Sequence, residues 1–212
     1  MSAFTNFLSR RSRLVPAVFA ALSVAVAAPA AASASTSWFG SSLNHTPANA
    51  GVTCADFGVG NPGDLCTHVA SDFPGTSGRV KSPISGTITA LKLEPQGPMT
   101  FTAEVVDVRH LSGDLQSGQA RATARSRRIS LPGPTQDQMD NGIYPIDTVS
   151  VHLKVKKGQE IALNTASNTA EYCSDGTPGQ LLFDPILTPR TGFHTNAGVD
   201  DCLMLVQAVA KR

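Results

Sequence analysis

Val149, Val151, Leu153 and Val155 alternate without a break with Ser150, His152, Lys154 and Lys156. A period of two places every apolar side chain on one face of an extended chain, so this run is a half-buried strand and cannot be an amphipathic helix. Lys157-Gly158 then turns the chain into a second apolar run, Glu160–Leu163. Similar extended runs recur along the chain. Leu65–Ala70, Thr87–Leu93, Phe101–Val106, Ala120–Leu131, Leu181–Leu187 and Cys202–Val209 are β-branched or alternating, and Gly and Pro separate them. In Phe101–Val106, residues Phe101, Ala103 and Val105 share one face and Thr102, Glu104 and Val106 the other. No amphipathic run is long enough for a sizeable helix. The pattern predicts an all-β fold of about eight strands, a β-sandwich of jelly-roll-like form, with a closed barrel as the second choice.

The N-terminus reads differently. Arg10, Arg11 and Arg13 precede fifteen apolar residues, Leu14 to Ala28, and small residues follow at A-x-A spacing. This is the order of parts in a secretory signal peptide, and the run is shorter than the roughly 20 residues of a membrane span. Cleavage is expected after Ala34, with Ala30 and Ala32 as alternatives. Residues 35–53 are polar and turn-rich and read as a flexible lead-in, and 54–212 as a single sandwich domain. Removing 1–34 takes three Arg and no acid from 17 basic and 16 acidic side chains, which turns a formal +1 into −2. So balanced a chain offers no global electrostatic case for nucleic acid.

Four cysteines, Cys54, Cys66, Cys173 and Cys202, all follow the leader. An even number in an exported chain favours disulfides. Three pairings are possible, and the local ones, Cys54–Cys66 and Cys173–Cys202, are preferred. Zinc is disfavoured because no C-x-x-C pair is present.

Ser82–Glu94 (SPISGTITALKLE) has the form P-x-x-G-x-I-x, and Thr148–Asn164 (TVSVHLKVKKGQEIALN) is a strand, a V-K-K-G-Q turn and a strand. Together they resemble functionally uncharacterised secreted proteins of actinobacteria with a jelly-roll-like domain, over roughly residues 80–210. The resemblance implies export and a sandwich fold. It carries no catalytic residue over.

The candidate chemistry lies in local charge. Residues 109–128 hold Arg109, Arg121, Arg125, Arg127 and Arg128 against Asp114. If the strands containing Arg121, Arg125 and Arg127 and containing Lys154 and Lys156 are neighbours, one sheet face is basic. Such a face suits an anionic cell-wall polymer or glycan. Residues 171–201 have the opposite sign, and closing Cys173–Cys202 would gather Asp175, Asp200 and Asp201 into a candidate calcium site. Five scattered histidines, no G-x-S-x-G motif and only four Glu leave no catalytic residue to assign. Sugar-stacking aromatics are scarce, with Trp38, Tyr144 and Tyr172 the ones beyond Phe. The leading expectation is a secreted, non-catalytic binding module. The alternative is a secreted hydrolase of unrecognised type.

Overall fold

The computed structural model describes residues 35–48, 53–73, 77–111, 116–173 and 179–212. The leader and Asp175 lie outside these residues. By its contacts the chain divides at residues 33 and 34, and all that follows concerns the second unit, Ala34–Arg212.

The fold is all-β. In chain order the strands are β1 Thr36–Ser41, β2 Cys66–Ala70, β3 Gly78–Arg79, β4 Gly86–Leu93, β5 Met99–His110, β6 Gly118–Arg125, β7 Ile129–Leu131 and β8 Asp147–Val155. They continue as β9 Glu160–Thr165, β10 Glu171–Cys173, β11 Gln180–Phe183, β12 His194–Thr195, β13 Gly198–Asp200, β14 Cys202–Met204 and β15 Val206–Lys211. A single-turn 3-10 segment, Cys54–Phe57, and one short helix, α1 Gln136–Asp140, complete the described elements. Eight of the fifteen strands have five residues or more, and the rest are too short to leave a period in the sequence.

Five strands form one antiparallel sheet in the order β3-β1-β15-β4-β8. A larger sheet runs β12-β6-β5-β9-β2-β11-β13, with β7 also on β5, and curls into a half-barrel. β10 and β14 make a separate two-stranded ribbon. Between the two large sheets lies the main core, where Ile88, Leu91, Leu93 and Leu153 meet Phe101, Ala103, Val105, Ile161 and Leu163. A register shift between Ile88 and Ala90 lets Ile88 and Leu91 both point inward, which strict alternation forbids. The other face of the larger sheet carries a second buried cluster, Val69, Val106, Ala120, Ala122, Ala162, Leu181 and Phe183, joined by Leu187 from beyond β11. Every residue of β2, β9 and β11 is therefore buried.

Three expectations need correction. The lead-in is not loose throughout, because Thr36–Lys211 to Gly40–Gln207 pair as β1 and β15, and Phe39 is fully buried. Ala120–Leu131 is two strands. Ser126 reaches back to Ala103, its amide donating to the carbonyl and its hydroxyl accepting from the amide, and this kinks the chain between β6 and β7. Cys202–Val209 is likewise broken at Leu205, whose amide donates to Ala170, so β14 joins the ribbon and β15 the smaller sheet. Among the described residues no helix is long and apolar enough to cross a membrane.

Candidate functional site

The basic residues are brought together, but not as one sheet face. β6 lies in the larger sheet and pairs with β5, while β8 ends the smaller sheet and pairs with β4. The two strands face each other across the seam where the sheets meet, and two cavities open there. One, of about 360 Å³, is lined by Arg125, Ser126, Arg127, Ile129 and the 150–153 stretch of β8 with exposed His152. The other, of about 410 Å³, is lined by Gly86, Asp107, Arg121, Thr123, Lys154, Val155, Lys156 and Gln159. All five predicted cations line one cavity or the other.

Two of the five are held by acidic side chains. Arg121 donates through Nε and Nη2 to Asp107 Oδ2 at 3.0 and 2.9 Å. Burial alone would raise the Asp107 carboxyl, but hydrogen bonds from Gln159 and Arg121 and the charges of Arg121 and Lys156 outweigh it and hold it below the ordinary range. The Phe193 ring lies 3.8 Å from the Arg109 guanidinium and 4.8 Å from that of Arg121, which stiffens this end of the seam. Arg125 Nε lies 2.8 Å from Glu104 Oε1, and the Glu104 side chain is fully buried. Burial pushes Glu104 up to about 8, against the opposing pull of Arg125 and of the Asn164 amide. Arg127, Lys154 and Lys156 are exposed and make no salt bridge among the described residues. Lys154 Nζ donates to Thr87 Oγ1 at 3.1 Å.

Both preferred disulfides are present, Cys54–Cys66 and Cys173–Cys202. Between them sits a buried polar cluster that sequence reasoning missed. His68 on β2, Gln180 on β11 and Asp200 on β13 project from the sandwich side of the larger sheet, and Glu171 on β10 meets them from the ribbon. His68 Nδ1 lies 3.2 Å from Gln180 Oε1, and His68 Nε2 lies 3.4 and 3.6 Å from the Cys66 and Cys54 sulfurs. Gln180 Nε2 donates to Glu171 Oε2 at 2.9 Å and to the Cys202 carbonyl at 3.0 Å. Asp200 Oδ1 accepts from the Cys202 amide at 2.6 Å. Burial drives His68 down to about 4, so the ring is neutral, and drives Asp200 up to about 7. Of the predicted calcium residues, Asp200 belongs to this cluster. Asp201 lies at its margin, its Oδ1 3.9 Å from Cys202 Sγ.

A further acid, Glu160, opens β9 and is fully buried, and neither carboxylate oxygen has a hydrogen-bond partner among the described residues. Burial pushes it up to about 8, with the charge of Lys81 opposing. The histidines form no catalytic constellation on the seam. His45 Nε2 lies 2.8 Å from Ser77 Oγ, and its ring stacks on Tyr172 with centroids 4.8 Å apart. Ser77 is buried and lines neither cavity.

No protein-family model, no curated protein and no solved structure matches the chain.

Proposed function

We propose that this is an exported, non-catalytic β-sandwich protein that holds an anionic extracellular polymer or glycan along the seam between β6 and β8. One observation carries the reading. Five cations from two sheets converge on two adjoining cavities, and three of them, Arg127, Lys154 and Lys156, make no salt bridge among the described residues. A cleft in which five cations outnumber one carboxylate, Asp107, concentrates a ligand of negative charge. Arg121 and Arg125 lie four residues apart on β6, roughly 13 Å, so an extended polyanion would engage both cavities at once. The basic leader and the two disulfides support an oxidising, extracellular setting.

The competing hydrolase reading has one observation in its favour, the His45–Ser77 hydrogen bond. The burial of Ser77 away from both cavities weighs against it.

Co-sedimentation with polygalacturonate and with poly(glycerol phosphate), using neutral dextran as the control, tests the proposal. Binding to the anionic polymers should weaken by about tenfold or more between 50 and 300 mM salt, as screening predicts. The triple variant Arg127→Glu, Lys154→Glu, Lys156→Glu should abolish it without loss of fold, since all three side chains are exposed. Equal retention by dextran, or full binding by the triple variant, refutes the proposal.

A further inference from the structure

The second site stands apart from the seam. One potential ligand atom each from His68, Glu171 and Asp200 lies within 4.8 Å of the other two, and all three residues are buried. Ligands about 2.0–2.2 Å from a common ion are themselves separated by roughly 3–4 Å, so small side-chain movements would close the set. The Gln180 amide stands where the oxygens converge. Its Nε2 is 2.9 Å from Glu171 Oε2, 3.0 Å from the Cys202 carbonyl and 3.4 Å from Asp200 Oδ1. A second observation is independent of this grouping. Among the described residues, Asp200 Oδ2 is buried with no hydrogen-bond partner, and the residue, only 3% exposed, has no ion pair. A core carboxylate with half its acceptor capacity unmet calls for a proton or a cation.

We infer that His68, Glu171, Asp200 and Gln180 form a buried site for a divalent transition metal, with zinc the ion best suited to the donor set. The imidazole nitrogen selects against calcium and magnesium, which take oxygen ligands. Two carboxylates supply the charge that neutralises a dication. Rotating the Gln180 amide presents Oε1 in place of Nε2, so the nitrogen that fills the centre gives way to a fourth donor. Coordination through Nδ1 leaves the His68 proton on Nε2, directed at the Cys54–Cys66 sulfurs. Any proton on Asp200 leaves as the metal binds.

The test uses the full chain expressed and secreted in zinc-supplemented medium. Elemental analysis after gel filtration should find about one zinc per chain. Thermal unfolding should show a Tm in zinc above that in EDTA by about 5–10 °C at a hundredfold excess over Kd. Replacing zinc by Co²⁺ should give visible d–d bands, a readout that needs no variant. Asp200→Asn keeps the shape, so it should hold a metal-free Tm at or above that of the parent while losing the zinc increment. A metal-free product with no zinc-dependent Tm shift overturns the inference. So do a featureless Co²⁺ spectrum, an undiminished zinc increment in Asp200→Asn, and a Tm response to calcium but not to zinc.

Discussion

Replacing Glu160 by Gln should make the protein more stable at alkaline pH and leave it nearly unchanged in acid. Glu160 faces Val106 across the β5–β9 ladder and is fully buried, with neither carboxylate oxygen hydrogen-bonded to any described residue. Its pKa rises from 4.5 to about 8 because burial penalises the charged form, and Lys81 offsets only part of that penalty. The folded protein therefore keeps the proton over a range in which the unfolded chain has lost it. Stability falls as pH rises from 4.5 to about 8, at about 1.4 kcal/mol per unit, and levels off above. The full span sets a ceiling of about 5 kcal/mol. Gln matches the protonated side chain in shape and never ionises. Urea unfolding followed by the fluorescence of Trp38, the chain's single tryptophan, should place parent and variant within about 1 kcal/mol at pH 5. At pH 8.5 the variant should be more stable by about 3–5 kcal/mol. Other buried titrating groups are common to both proteins and cancel in the difference. A parent–variant gap that is the same at both pH values refutes the reasoning, and a variant weaker at pH 8.5 shows that Glu160 is ionised and paired in the fold.

Removing the cation beside Glu104 should have a related signature. Arg125→Met raises the Glu104 carboxyl still further above its value of about 8, so urea midpoints should match the parent near pH 6 and fall behind by about 1.4 kcal/mol per pH unit above 8. Gly40 has a φ of 94°, and a Cβ there would lie 2.1 Å from the Val206 carbonyl oxygen. Gly40→Ala should separate β1 from β15 and cost more than about 3 kcal/mol, whereas Gly58→Ala, at φ 74° but in open space, should cost only about 1 kcal/mol in the same urea assay. Losing Cys173–Cys202, which closes a separation of 29 residues, should lower stability by about 3–4 kcal/mol, and losing Cys54–Cys66, which closes 12, by about 3 kcal/mol, each read from non-reducing melts of the double-serine variants.

The parts of the fold that can be read from residue order are those with local causes. β8 declares itself because one face meets the core and the other meets water, so burial and sequence share a period of two. The cysteine pairs were legible because each closes a local segment. β1 was not legible. Its TSWFGS run is short and lies among Ser, Gly and Asn, and it is a strand because β15, at the far end of the chain, supplies its hydrogen bonds. The seam cations were legible as residues but not as a place, since adjacency between β6 and β8 comes from two sheets meeting. The buried cluster was least legible, with partners at positions 68, 171, 180 and 200 that only the β2–β11–β13 ladders and the ribbon bring together. A signal was nonetheless present. His68 and Glu104 lie inside the largely apolar runs of β2 and β5, Gln180 and Glu160 open β11 and β9, Asp200 closes β13, and a polar group buried at such a place needs a partner.

These buried acids also change what the net charge means. Without residues 1–34 the formal count is 14 basic side chains against 16 acidic ones, and on that count a polyanion is a poor match for a net charge of −2. Burial holds Glu104 and Glu160 at about 8, so at pH 7 both are largely protonated, and Asp200, at about 7, carries roughly half a charge. Two of the sixteen acids thus drop out and a third is halved, and the folded chain is close to neutral or slightly positive at pH 7. Unfolding returns these protons to solution. Glu104, which faces Arg125, is therefore silenced inside the fold, while Arg127, Lys154 and Lys156 stand exposed at its surface. Isoelectric focusing with and without urea measures this separation directly. The native band should lie at higher pH than the unfolded one, and coincident bands would mean that the buried carboxylates are ionised and that the seam has no excess of positive charge to offer.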